Sequence, residues 1–205
     1  MSVAVNLERF AGAMPQAPPG GVTVARVNVF DSRAWIAYRR DEDQGRLRHR
    51  HGIEPILGLD VLDTLMDLPL GLPVPVDALS AADRGRLRRL PAGAVLWSAA
   101  TVTRRVAPPV TPTLAMVRSA DWMGGLRAAS RFAVYCPRMV IVAALPPDSA
   151  AALSQASFYG IGVAVHRDGR PEVVLAPESV ADRQPTPAWW WFTEVVHRAA
   201  GLSGS

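Results

Sequence analysis

Lysine is absent from the 205 residues, so 22 arginines carry the side-chain positive charge at neutral pH. That absence excludes chemistry built on a titratable amine: a Walker A phosphate loop, a Schiff-base lysine and a Ser-x-x-Lys nucleophile. Cysteine occurs once, at Cys136, which excludes an internal disulfide framework and points to a reducing, cytoplasmic setting. No run of about 18 apolar residues exists to span a bilayer. Residues 1–21 also lack the basic start and continuous apolar core of a signal peptide, so no membrane partner is expected. Histidine is scarce too. His49 and His51 would point the same way on an extended strand, but no third ligand stands at a familiar zinc spacing, and the pair reads as part of an exposed basic loop. Neither a metal nor another cofactor is expected.

What remains is an apolar, basic chain: 49% hydrophobic residues, a net charge of +4 and a pI near 10.2. These values suit a folded protein large enough for one domain or two small ones, and they permit nucleic acid as a partner. The arginines are unevenly spread. Fourteen of the 22 lie in the first 105 residues, grouped at Arg39–Arg40, Arg46–Arg48–Arg50, Arg84–Arg86–Arg88–Arg89 and Arg104–Arg105.

Residues 1–21 end in a Pro- and Gly-rich stretch and read as a flexible lead-in. Alternation over 22–29, followed by 34–38, predicts a β-hairpin. Residues 39–52 mix both charge signs without an apolar face and read as a solvated loop. Residues 56–68 set Leu59, Leu62, Leu65 and Met66 against Asp60, Asp63 and Asp67, an amphipathic helix that the following prolines stop. A second, arginine-bearing helix is expected over 77–90 with Asp77 as its cap, then a hairpin over 96–106. Helix, Pro-containing turn, basic helix and hairpin resemble the element order of a winged helix. The basic helix would then enter a groove, with Arg84, Arg86, Arg88, Arg89, Arg104 and Arg105 as candidate nucleic-acid contacts. A solvated helical layer is the alternative.

The Pro-rich segment 108–112 marks a boundary between a basic region, 22–107, and a second domain, 113–205. Beyond it the expected order is a strand over 114–117, a helix capped by Asp121 and running to about 136, and an apolar strand over 139–145. A helix through 157 and two strands, 160–166 and 172–176, then follow. Thr186 and Pro187 open a last helix whose inward face is Trp189, Phe192 and Val196. Trp190 and Trp191 are left over as candidates for packing against a protein partner or a second copy of this chain, or for covering a sheet edge.

This order over residues 93–180 resembles the second half of the PD-(D/E)XK nuclease-like superfamily. The resemblance implies a mixed sheet flanked by helices, an α/β (α+β) fold; the smaller winged-helix-like region read above would precede it. It also implies a Glu-x-Lys at the end of the strand preceding the helix, with an upstream Asp completing a Mg²⁺ site. Here that strand reads Met116-Val117-Arg118, and no carboxylate lies between Asp83 and Asp121. Methionine is no Mg²⁺ ligand and arginine cannot serve as a base, so the implied member is catalytically silent. The expected function is a non-catalytic DNA-binding regulator or accessory protein. The alternatives are a subunit that docks through the tryptophans, and a Mg²⁺ nuclease with migrated ligands at Asp121 and Glu172 or Glu178.

Overall fold

The computed structural model describes residues 3–14, 21–179 and 184–201, with side chains from Asn6 onward. It is an α+β protein that divides into two compact units, Met1–Arg39 with Pro112–Arg183, and Arg40–Thr111 with Gln184–Ser205. This division corrects the expected one. The hairpin over 22–39 belongs with the later sheet, and the last helix belongs with the middle of the chain. Only the boundary near 111–112 coincides. The physical reason is strand pairing: a buried strand needs neighbours on both sides, and a neighbour can come from either side of a long insertion.

The first unit is organised on a six-stranded sheet. Its strands, in chain order, are β1 (Thr23–Val29), β2 (Ser32–Arg40), β6 (Val110–Arg118), β7 (Arg138–Val142), β8 (Ile161–Arg167) and β9 (Arg170–Leu175). They lie side by side in that same order. β6, β7 and β8 run parallel, while β1–β2 and β8–β9 are antiparallel hairpins. The apolar run of β7 has a parallel neighbour on each side and is buried from Met139 to Val142, as an unalternating strand should be. Phe30–Asp31 and Asp168–Gly169 turn the two hairpins with positive φ at both central residues, which matches the twist of the flanking strands.

Helix α1 (Val3–Gly12) stands where a flexible lead-in was expected. Leu7, Ala11 and Met14 bury against Val24, Ala37, Leu114, Met116, Met139 and Ile141, so the helix closes one face of the sheet. Residues 15–20, the Pro-rich part of that expected lead-in, lie outside the described residues. On β7 and β8 pack α5 (Trp122–Ser130) and α6 (Ser149–Phe158). Asp121 and Asp148 cap them by accepting from the N–H of Gly124 and Ala151, each such cap contributing about 1 kcal/mol. α5 ends at Ser130 rather than near 136. The chain continues in short-range turns whose N–H groups reach carbonyls three or four residues back, and Phe132 and Cys136 remain buried.

The second unit contains α2 (Glu42–His51), α3 (Leu59–Met66), β3 (Pro73–Pro75), a 3-10 turn (Val76–Ala78), α4 (Ala81–Arg88), β4 (Val95–Trp97), β5 (Thr101–Arg104) and α7 (Pro187–Ala199). The expected loop over 39–52 is in fact α2. Asp41 accepts from the Gln44 N–H at 3.0 Å, acidic residues fill the first turn, basic residues fill the last, and Gly52 closes it at φ 59°. Caps and the helix dipole fix this helix despite its weak apolar face. Ser80, not Asp77, caps α4, because Asp77 lies in the separate 3-10 turn. β3, β5 and β4 form an antiparallel sheet in that spatial order. Its core joins Leu62, Leu65, Leu68, Leu87, Val102 and Trp190.

Candidate functional site

The basic region of the second unit separates into arginines that build the unit and arginines that face solvent. Arg84 is half-buried and donates from Nη1 to the carbonyls of Leu79 at 2.7 Å and Val76 at 3.2 Å, tying α4 to the turn before it. Arg86 pairs with Asp83 at 2.7 Å and Asp60 at 3.3 Å. The Ser80 hydroxyl beside Asp83, opposed by partial burial and aided by Thr64 and Arg86, holds that carboxyl below its usual range. Arg104 donates to the Leu65 carbonyl at 2.8 Å and lies 5.4 Å from the centre of the Trp190 ring. Burial lowers its pKa and leaves its Nε without a partner among the described residues. Arg105 is half-buried.

Arg88 and Arg89 differ from these. Both are exposed at the end of α4, and neither meets a carboxylate among the described ion pairs. The Arg88 guanidinium lies 5.5 Å from the centre of the Trp97 ring on β4, so the helix end and the hairpin form one surface. A groove of about 400 Å³ runs between them, lined by Arg88, Leu90, Pro91, Val95, Trp97 and Ser98. Of the six expected contacts, the structure therefore leaves Arg88 and Arg89 fully presented, Arg105 in part, and engages Arg84, Arg86 and Arg104 internally. Trp97 was missed in the sequence; its place across from a basic helix is a matter of tertiary packing.

The two tryptophans expected at a partner surface are not there. Trp190 is 1% exposed in the core of the second unit and donates from Nε1 to Glu194 Oε1 at 3.0 Å. Trp191 is half-buried against the same core. From Phe192 to His197 every residue of α7 is buried, so the helix has no single inward face. Inside this unit lies a charged network that sequence reasoning did not find: Glu194 receives Arg48 Nη2 at 2.6 Å, Arg48 Nη1 at 3.0 Å and the Ile56 N–H at 3.3 Å. Burial pushes the Glu194 carboxyl up, while Arg48 and the two N–H donors pull against it. His197 is nearby, its pKa lowered to about 4 by burial and then by Arg48 and Arg40.

In the first unit, the strand expected to carry nuclease ligands ends as the sequence reads. Met116 is fully buried and Arg118 is exposed at the carboxyl end of β6. Asp121 is occupied as the α5 cap, and Glu172 pairs with Arg167 at 3.2 Å on the surface of the last hairpin. Among the described residues no three His, Cys, Asp or Glu side chains converge to hold a metal ion. His49 and His51 are on α2 rather than on an extended strand, and their ring positions diverge accordingly. No described helix is long and apolar enough to cross a membrane. No family model, curated protein or solved structure matches the chain.

Proposed function

We propose that the protein is a non-catalytic DNA-binding regulator or accessory protein, with the end of α4 and the β4–β5 hairpin of its second unit as the contact surface. The observation that carries this reading is the pair Arg88 and Arg89, exposed and unpaired by carboxylate, with Arg88 set beside Trp97. Arginine presents a fork of donors suited to phosphate, and an aromatic ring behind the fork orients it without neutralising it. The helix, strand, helix and hairpin of the second unit, with sheet order β3–β5–β4, give support to the winged-helix resemblance. The strand, helix, strand, helix, strand, strand order of residues 110–175 supports a degenerate nuclease-like scaffold, with Arg118 standing where that superfamily's lysine would be. A single buried cysteine accords with a cytoplasmic site of action.

The test is fluorescence anisotropy of a labelled duplex across a salt series. Phosphate contacts release counterions, so affinity should fall as salt rises with a slope of about 0.9 per phosphate neutralised. Arg88→Ala with Arg89→Ala should reduce both affinity and slope. Absence of binding, or binding indifferent to salt and to these substitutions, overturns the reading.

A second reading, assembly with a protein partner, has one observation in its favour. Phe158 is 84% exposed and Tyr159 48% exposed, in edge contact at 5.2 Å where α6 ends. These aromatics, rather than Trp190, are apolar surface available for docking, with Phe158 the most exposed large apolar side chain among the described residues. Phe158→Ser should then abolish partner recovery or lower the mass in solution.

A further inference from the structure

Three cavities of the first unit share one side chain, Arg118. Two of them also share Ile141 and His166, and these adjoining spaces measure about 310 and 210 Å³. They lie at the carboxyl ends of the three parallel strands. The register explains why: Arg118 is level with Ile141, Ile141 is level with Ala164, and His166 follows Ala164 by two residues on the same face. Upstream on that face, Leu114, Met116, Met139 and Ile141 are core residues beneath α1. Where the apolar stripe runs out, the strands put an arginine and a histidine in its place.

No carboxylate lines either cavity. Arg118 and His166 are exposed, and neither side chain has a hydrogen-bond or ion-pair partner among the described residues. From the side of α1 comes Asn6, one of whose amide N–H groups reaches the Gly169 carbonyl at 3.5 Å, leaving a second N–H uncommitted. Donors therefore reach the same space from β6, β8 and α1. A planar carboxylate presents its oxygens to one fork, whereas the oxygens of a phosphate diverge toward donors on several sides. Leu7, Ile141, Val142 and Pro171 give the remaining walls a mainly apolar character, beside the polar Ser119, and suit the body of a small molecule.

We propose that the carboxyl ends of β6, β7 and β8 form a binding site for a small phosphomonoester, its phosphate held by Arg118 and His166. The site involves the first unit only and does not depend on DNA contact by the second. Arg118 supplies the fixed charge and a bidentate fork. His166 donates an imidazole N–H in either protonation state.

The experiment is a titration of the full chain, followed by proton–nitrogen correlation spectra at constant ionic strength. The probes are inorganic phosphate, glycerol phosphate, acetate, and a short single-stranded oligonucleotide with internal phosphodiesters only. The expected result is saturable movement of Arg118, Ser119, Ile141 and His166 with phosphate and glycerol phosphate, and with neither of the others. Arg118→Gln should weaken phosphate binding by about tenfold or more, as loss of a charge-assisted pair requires. The control Arg127→Gln, on an exposed position of α5 outside both cavities, should bind as the parent does. Unsaturable shifts, equal response to acetate, tighter binding of the oligonucleotide at these residues, or an unaffected Arg118→Gln would each overturn the proposal. The dispersion of the same spectra reports whether the variants are folded.

Discussion

Arg48 and Glu194 form a bidentate ion pair across 146 residues of sequence, at 2.6 and 3.0 Å, with side chains 3% and 0% exposed. The pair joins α2 to α7 and makes the end of the chain part of the second unit. Arg48 also donates to the Ala107 carbonyl at 3.3 Å, so the same guanidinium holds the segment that leaves this unit. Its Nε has no partner among the described residues, a desolvation cost that the other bonds of the guanidinium offset.

Removing one partner of a buried pair strands the other charge. Glu194→Ala and Arg48→Ala should each destabilise the protein by about 3–5 kcal/mol, measured by urea unfolding. Combining Arg48→Ala with Glu194→Ala should cost markedly less than the sum of the single changes, because neither charge is then left uncompensated. Additive losses would show that the pair is not coupled.

His197 gives the second unit a pH dependence. Its pKa falls from 6.5 to about 4 in the folded chain, so between those values the unfolded chain binds the proton and the folded chain does not. Stability should therefore drop as pH falls from about 6.5 to about 4 and level off below, by up to about 3 kcal/mol. The upward shift of Glu194 acts in the opposite sense, since a folded state that retains the proton gains as pH falls. The two contributions separate by substitution. His197→Gln should flatten the decline in thermal midpoint across this window, and an unchanged slope would count against the assignment.

Arg88 and Arg104 carry the same charge in different roles. Arg104→Ala removes the bond to the Leu65 carbonyl and the contact on Trp190, and should cost about 1–3 kcal/mol of stability. Arg88→Ala should stay within about 0.5 kcal/mol of the parent in stability. It should also lower the salt slope of DNA binding by about one. A reversed pattern would mean the exposed and internal arginines have been assigned the wrong way round.

Gly93 has φ +96°, and a Cβ built there would come within 2.3 Å of the His51 ring. Gly93→Ala should therefore destabilise by more than about 1 kcal/mol, from backbone strain and displacement of the ring together. Gly93→Ala combined with His51→Ala should recover the steric part but not the backbone part. A chemical denaturation series on the two variants checks both.

Much of the local structure was legible because it rests on neighbouring residues. The β1–β2 and β4–β5 hairpins, α3, the capped starts of α5, α6 and α7, the apolar β7 and the Arg-Asp-Gly turn all follow from periodicity, caps and turn chemistry. The signals for α2 were equally present in Asp41, its acidic first turn and Gly52, but dense charge without an apolar stripe obscured them. Leu7 and Ala11 likewise lay just ahead of a Pro-rich run that drew attention to itself.

What the chain determined alone is its chemical inventory: no lysine, one thiol, a strand ending in Met116-Val117-Arg118 and a clustered arginine charge. Tertiary structure decided how that inventory is used. It drew Trp190 inward to Glu194, spent Arg84, Arg86 and Arg104 on carbonyls and carboxylates, and left Arg88 and Arg89 at the surface. It also brought Arg118 and His166 to one sheet edge from strands on either side of β7. Local rules act over a few residues, whereas burial and strand pairing depend on partners that can lie a hundred residues away; only the folded chain selects them.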